Sequence, residues 1–294
     1  MLKSDSTSLI SIGIPFYNAQ HYLGYAIESV LSQIYESWEL VLVDDGSNDD
    51  SLNIANEYAK KDSRIRVISD GKNMKLPYRL NQLIEECKGD FIARMDADDI
   101  MHPERLEKQL SFLETNKCYD LVSTGLVSID NNNKVKGYRK VGSLYDDFSS
   151  IRTSYPIVHP SVMGRRSWFE RNRYSEEYPR AEDFELWTRA ISKSDFKMAV
   201  LPELLLYYRE EGNINKRKMI ESYNDLLKIY KKYNLKEYLL KIKIKMKAKI
   251  FIVNILYHLG QLQKLADRRN LKFKNREDLL VHQSFLDRLI KKVR

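Results

Sequence analysis

The chain has 294 residues, 43% of them apolar and 31% charged, with 19 tyrosines, which gives length for a sizeable core and excludes a disordered protein. The apolar run at residues 250–259 is far short of the ~18–20 residues that cross a bilayer, and the first eight residues hold no signal-like apolar run. Two cysteines, Cys87 and Cys118, exclude a disulfide framework or a cysteine zinc site, so a reduced, cytosolic protein is expected.

The net charge of +8 hides a division. Residues 216–294 carry 22 Lys and Arg against 7 Asp and Glu, whereas residues 1–215 carry 27 against 34. An acidic body with a basic tail suggests chemistry in the first and attachment to something anionic in the second.

In chain order, LISIGIP at 9–15 reads as a strand stopped by proline, and residues 21–35 place Tyr22, Ala26, Val30 and Ile34 on one helical face. ELVLV at 39–43 is a buried strand closed by Asp44-Asp45-Gly46-Ser47. A helix over 51–61, a strand at 64–69, a helix over 76–87 and a strand at 91–95 follow. Strands alternating with helices indicate an α/β fold with a mostly parallel, Rossmann-like sheet covered on both faces. Pro103 opens a helix running to about Asn116. Beyond it the pattern predicts strands at 121–129 and 135–140, a helix over 182–192, and two strands at 196–201 and 204–208. From Lys216 the pattern is largely helical. Residues 1–215 are therefore expected to form an α/β body that carries the chemistry and 216–294 a basic helical extension, with no linker between them.

In an open parallel sheet ligands bind beyond the carboxyl ends of the strands. Those ends carry Pro15-Phe16-Tyr17-Asn18, Asp44-Asp45, and Asp96-Ala97-Asp98-Asp99. Aspartates after strands also serve as helix caps and turn formers, and Asp49 or Ser51 can cap the second helix. Three acids in four residues exceed what capping requires, however, and Asp96 and Asp98 can face one hard cation such as Mg2+ or Mn2+. No Gly-x-Gly-x-x-Gly and no Gly-Lys-Ser/Thr loop is present, which argues against a dinucleotide-dependent dehydrogenase and a P-loop NTPase.

Residues 11–51 and 88–109, with His159-Pro160-Ser161-Val162-Met163 and Arg180-Ala181-Glu182-Asp183-Phe184-Glu185-Leu186-Trp187, resemble an inverting family 2 glycosyltransferase of the GT-A fold, of the kind that builds bacterial O-antigen, capsule or lipooligosaccharide. The resemblance spans about residues 9–210. It implies a nucleotide pocket of Pro15, Tyr17 and Asn18, with Tyr17 against the base and Asp45 accepting a hydrogen bond from uracil. It implies Arg79 and Arg94 as partners of uridine or diphosphate, Asp96 at the ribose or the metal, and Asp98 as the ligand of a divalent metal (Mn2+ or Mg2+), with Asp99 as a second. Asp183 would be the catalytic base, Glu182 would orient the acceptor or the base, and His159 would line the acceptor cleft. An α-linked sugar nucleotide would then give a β-glycoside. Each residue has a plainer alternative: Tyr17 packing on the sheet, the arginines in ion pairs, Asp183 capping a helix, His159 bound to a backbone carbonyl.

Two departures from the family pattern stand out. Asn73-Met74-Lys75 replaces Asn-x-Gly, which either alters the donor pocket or lets Lys75 reach the diphosphate. Tyr208-Arg209-Glu210-Glu211 lacks the histidine of Tyr-Arg-x-His. That absence supports a rival reading, a non-catalytic subunit that binds nucleotide sugar or glycan. A glycoside hydrolase with paired carboxylates is a further rival.

In the tail, LKIKIKMKAK at 240–249 alternates like a strand, but its surroundings have helical spacing. As a helix its lysines would flank an apolar face, fitting an anionic membrane surface; a solvated helix, a dimer contact and nucleic acid are the alternatives. The resemblance adds a lipid-linked or oligosaccharide acceptor, and with it a peripheral position on the cytoplasmic face of the inner membrane.

Overall fold

Strands β1 (Ile10–Phe16), β2 (Trp38–Asp44), β3 (Ile65–Ile68) and β4 (Phe91–Arg94) lie parallel in the order β3-β2-β1-β4. They are seen in a computed structural model that describes residues 7–210, 215–233 and 236–293. The crossovers are helices α1 (Leu23–Leu31), α2 (Ser51–Lys61) and α3 (Leu76–Glu86). Every residue of β1 is buried, because both faces of the sheet are covered. Ile10, Ile12 and Ile14 pack with Leu23, Ile27 and Ala55 on one side, while Val41, Val43 and Ile92 pack with Leu80 and Leu83 on the other.

The sheet then changes character. A two-residue strand β5 (Ile100–Met101) is followed by α4 (Arg105–Thr115), β6 (Leu121–Ile129) and β7 (Val135–Arg139). After them come β8 (Met163–Arg165), α5 (Arg166–Arg171), α6 (Glu182–Ser192) and β9 (Met198–Arg209). The order continues β4-β8-β6-β9-β5, with β7 on the side of β6. Strand β8 is antiparallel to both β4 and β6, and β5 is antiparallel to β9, whereas β6 and β9 are parallel. The two strands expected at 196–201 and 204–208 are one. The ladder slips where Thr124 pairs Leu201 and Gly125 pairs Leu204, so Pro202 and Glu203 bulge out of it. Proline, having no N–H to donate, is tolerated in a strand at such a bulge.

The basic tail is helical as expected: α7 (Lys216–Lys232), α8 (Lys236–His258), α9 (Lys264–Asp267) and α10 (Arg276–Val293). It shares two apolar clusters with the body. Ile229, Tyr230, Ile242 and Met246 pack on Tyr178 and Phe184 beside α6. Leu286 and Leu289 of α10 pack on Ile100, Val127, Ile129 and Tyr207 at the edge of the sheet. Between α9 and α10, Leu271 pairs with Tyr138 of β7 through two backbone hydrogen bonds of 2.9 Å. No helix among the described residues is long and apolar enough to cross a membrane.

Candidate active site

Asp96, Asp98 and Asp99 follow β4, where the sheet rule places a ligand. Each offers a carboxylate oxygen within 4.8 Å of the others. Asp99 is fully buried. Its Oδ1 accepts the Arg209 N–H at 3.0 Å, while Oδ2 is buried without a hydrogen bond. Burial, reinforced by the charges of Asp98 and Asp96, holds the Asp99 carboxyl well above the usual carboxylate range. Asp96 is also raised, by burial first, although Arg94 opposes the shift through a 2.5 Å bond from Nη2 to Oδ1. Crowded acids with an orphaned oxygen suit a hard divalent cation, which would neutralise them and satisfy Asp99 Oδ2. The residues present therefore fit a metal.

The donor side is built from the turns after β1 and β2. Pro15 is buried in β1 beside Val43, and Tyr17 stands 48% exposed at the strand's end. Asn18 ties the two turns together: its N–H donates to Ser47 Oγ at 3.1 Å and its Oδ1 accepts the Asn48 N–H at 2.8 Å. Asp45 Oδ1 accepts from the backbone of Met74 at 2.6 Å and Lys75 at 3.1 Å and from Arg79 Nε at 2.9 Å. Arg79 is wholly buried, and its other nitrogens bind Asp70, Gln82 and the Lys72 carbonyl. Among the described residues Arg79 is thus an internal strut beneath the Lys72–Lys75 turn, not an exposed ion pair. Asp49, proposed as a cap, accepts the Ser51 N–H at 3.0 Å at the start of α2 and the Gln20 N–H at 3.1 Å.

Asn18, Gly46 and Lys75 in these turns have positive φ. Gly46 at φ +73 lies against Lys72, whose carbonyl carbon is 2.8 Å from where a Cβ would stand, so only glycine fits. Lys75, which occupies the glycine position of the family pattern, sits at φ 75 and ψ 163. A lysine held there carries strain of ~1–3 kcal/mol, and the Asp45 carboxylate that receives its N–H helps hold it.

Across the site, α6 starts at Glu182 behind the N-cap Ala181, which gives no side-chain cap. Glu182, Asp183 and Glu185 fill its first turn, where the helix dipole favours acids. Asp183 is the second residue of the helix and not its N-cap, and its Oδ1 accepts the neighbouring Phe184 N–H at 2.7 Å. Burial raises Asp183, and it raises Glu182 to about 8, with the Asp183 charge as the next cause. His159 is buried, and burial holds it neutral, well below its ordinary value, with Arg94 adding to the effect. Its Nε2 lies 2.9 Å from the Tyr174 hydroxyl rather than on a backbone carbonyl. Arg94 joins the two halves. It is 5% exposed and bound to Asp96, with Nε and Nη1 free of hydrogen bonds, and its charge is felt by Asp183, Glu182 and His159.

Asp183 and His159 line a cleft of about 380 Å³ with Tyr208 and Arg269. Glu182 lines an adjoining one of about 420 Å³ that shares Tyr208, Met219 and Arg269. Sequence reasoning missed how the end of β9 shapes this place. Arg209 is buried under the acid loop, donating from Nε to the Asp98 carbonyl at 3.0 Å and from Nη2 to Asn133 Oδ1 at 2.5 Å, with its guanidinium 4.1 Å from the Tyr22 ring. Glu210 accepts from Ser128 at 2.6 Å, Arg139 at 2.7 Å and Asn270 at 2.5 Å. The Tyr-Arg pair before the missing histidine was the available signal. The histidine's own position, Glu211, lies outside the described residues.

A mixed sheet with an acid triplet after its parallel strand β4, and a second carboxylate pair opening a helix across a cleft, has the layout of a GT-A glycosyltransferase. The sequence profile described as Glycosyl transferase family 2 matches residues 11–173, and the chain belongs to that family. EpsE of Bacillus subtilis, which carries a glycosyltransferase name, is 36% identical over 218 residues, 73% of this chain and 77% of its own. An uncharacterized glycosyltransferase of Haemophilus influenzae is 31% identical over 274 residues, covering 89% and 84%. Among solved structures, the mannosyltransferase PcManGT from Pyrobaculum calidifontis in complex with GDP-Man and Mn2+ matches with TM-score 0.61 at 16% identity, over 98% of this chain and 88% of that one. S. aureus TarS 1–349 in complex with UDP-GlcNAc matches with TM-score 0.56 at 16% identity, over 83% and 79%. At those identities the structures speak for the fold.

Proposed function

We propose that the chain is an inverting, metal-dependent transferase that moves a hexose or N-acetylhexosamine from a UDP-sugar to a sugar acceptor, in lipid-linked or oligosaccharide form, during bacterial surface glycan synthesis. The observation that carries this reading is the meeting of two carboxylate sets around Arg94: Asp96, Asp98 and Asp99 on one side, Glu182 and Asp183 on the other. A metal held by Asp98 and Asp96, with Asp99 beside them, would stabilise charge on the departing diphosphate. Tyr17, Pro15 and Asn18 border the base, Asp45 is its acceptor, and Arg79 keeps Asp45 in place. Arg94 supplies positive charge between donor and acceptor.

Asp183 takes the proton of the acceptor hydroxyl as that oxygen attacks the anomeric carbon. Its raised affinity for protons, a product of burial, suits a base. Glu182 and His159 position the acceptor, and attack from the face opposite the nucleotide gives a β-glycoside from an α-linked donor. Residues 1–215 serve as the catalytic part and 216–294 as the extension.

Helix α8 supports a peripheral position on the cytoplasmic face of the inner membrane. Its Ile242, Met246 and Val253 are buried. Leu240, Ile244, Phe251 and Ile255 form the opposite stripe, the first three 71%, 60% and 66% exposed. At 100° per residue, Lys243 and Lys247 flank that stripe on one side and Lys241 and Lys245 on the other. An apolar stripe between rows of cations matches an anionic lipid surface.

The test is UDP release from a panel of UDP-sugars, with a GDP-sugar arm, with and without Mn2+ and a lipid-linked sugar acceptor. Asp183→Asn is expected to keep UDP binding and lose transfer by ~10²–10⁴-fold, and Asp98→Ala to lose metal-supported UDP binding. Tight UDP binding with no turnover by wild type would instead favour the assembly-subunit reading.

A further inference from the structure

The cleft that holds Asp183 has a wall the body does not supply. Met219 of α7 and Arg269 just after α9 line it, and both also line the adjoining Glu182 cleft, where Lys218 of α7 joins them. The cations on this wall are differently placed from those around them. Arg139 is matched by Glu210 at 2.7 Å, and Arg180 and Arg217 share Glu221 at 3.4 Å and 2.8 Å. Lys218 and Arg269 are exposed and make no ion pair among the described residues. Lys249 stands behind them, its ammonium 5.3 Å from the ring of Tyr223, another residue of the wall. Burial lowers the Lys249 ammonium, and the charges of Lys245 and Arg269 lower it further, which shows like charges gathered in one place.

Repelling cations raise the free energy of the wall unless an anion neutralises them. The acids of the cleft do not serve. Glu210 is engaged by Ser128, Arg139 and Asn270, and Glu182 and Asp183 lie at the start of α6, under the influence of Arg94.

We propose that Lys218 and Arg269 form an anion subsite that binds a phosphate group on the acceptor. The inference rests on Asp183 being the base, since that residue fixes this cleft as the place where the acceptor hydroxyl lies. A guanidinium matches two phosphate oxygens with paired N–H donors, and an ammonium adds a point charge. The C-terminal segment thereby acts in acceptor selection: a phosphate held on the α7 wall places the neighbouring sugar against Tyr208 and Asp183. An acceptor without phosphate leaves the cations unmatched and binds more weakly.

The experiment is calorimetric titration of the full chain with inorganic pyrophosphate in EDTA, which removes the metal contribution of the donor side. Wild type is compared with the double variant Lys218→Gln, Arg269→Gln. Both residues are exposed, and a thermal melt of the variant confirms that it is folded. The expected result is binding by wild type that weakens at least ~10-fold in the variant, in line with loss of one or two charge-assisted hydrogen bonds. Equal binding by the two proteins, or none by either, overturns the subsite.

Farnesyl diphosphate and a glycerol phosphodiester are then used as competitors. Competition by the first assigns the phosphate to a lipid linker, by the second to a phosphodiester repeat; competition by neither overturns the proposal. UDP titration with Mn2+ in the same preparations keeps the outcomes apart. Failure of UDP to bind wild type sinks the donor reading, whereas pyrophosphate binding that survives the double substitution sinks only the subsite.

Discussion

Helices α8 and α10 come from the same basic tail, yet they meet the rest of the protein in opposite ways. In α10 the apolar residues Leu286 and Leu289 are 0% and 2% exposed against Ile100, Val127 and Tyr207. Gln283 adds two hydrogen bonds where the β6–β7 turn enters β7, accepting from Val135 N at 3.0 Å and donating to the Asn133 carbonyl at 3.2 Å. The last turn reaches α1, where Val293 abuts Gly24. Helix α8 is anchored on one side and leaves a second apolar stripe open. A basic helix with one apolar face closes a core; a basic helix with two has one left for something outside the chain. Charge alone does not separate these cases, because both helices carry lysines.

The sharpest way to break the comparison is to empty the covered face. Leu286→Ala should cost about 2–5 kcal/mol, the range for deleting a leucine from a packed interior, measured by denaturant unfolding. A loss below about 0.5 kcal/mol would mean that α10 is only lightly attached. The position of Leu286 between the edge strand β5 and the β6–β7 pair is why the larger value is expected.

The second prediction concerns pH. Docking of α10 brings His282 against Tyr207, whose hydroxyl lies 3.0 Å from Nδ1, and places His102 6.0 Å from the Phe285 ring and 6.5 Å from the His282 ring. Burial lowers His102 to about 4, more than the nearby Glu104 carboxylate raises it, and burial lowers His282 as well. The folded protein therefore prefers both rings neutral, and the unfolded chain binds more protons as pH falls below about 6.5. Stability is retained above that pH and lost progressively toward pH 4. Taking about 1.4 kcal/mol per pKa unit over the fall from 6.5 to about 4, the full contribution of His102 is about 3.5 kcal/mol. Unfolding of wild type and His102→Gln at pH 7.5 and 5 should show a shallower pH dependence in the variant. Parallel curves would place the titrating groups elsewhere.

The sequence made some of this legible. Acids at the ends of β2 and β4 and at the start of α6 follow from strand and helix patterns that span many residues, and the structure brings the expected Arg94, Asp98 and Asp183 near Asp96. Three-residue β8 and two-residue β5 are too short to show a period. Pro202 reads as a strand terminator, and only the ladder opposite Gly125 shows it to be a bulge. Arg209 reads as a surface charge at the end of a strand, because its burial depends on Asp130 and Asn133 folding over it from the β6–β7 turn. The cleft wall formed by Met219 and Arg269 depends on how the tail returns to the body, which no local pattern encodes.

The smallest effect on stability should come from the open face of α8, and it is the most informative about partners. Leu240→Ser, Ile244→Ser and Phe251→Ser together remove apolar area that is already in water, so each should change folding stability by no more than about 0.5 kcal/mol. Burying those side chains in the outer layer of a bilayer should recover roughly 1.5–3 kcal/mol apiece at full burial, and the flanking lysines add attraction that salt screens. Co-sedimentation with vesicles of anionic phospholipid should therefore fall steeply in the triple variant while its unfolding curve stays near wild type. Added salt should weaken the wild-type interaction, and neutral vesicles should bind less than anionic ones. Equal sedimentation of both proteins would show that α8 does not face lipid. Loss of folding in the triple variant would show that the stripe is covered within this protein, as in α10, and the contrast between the two helices would fail.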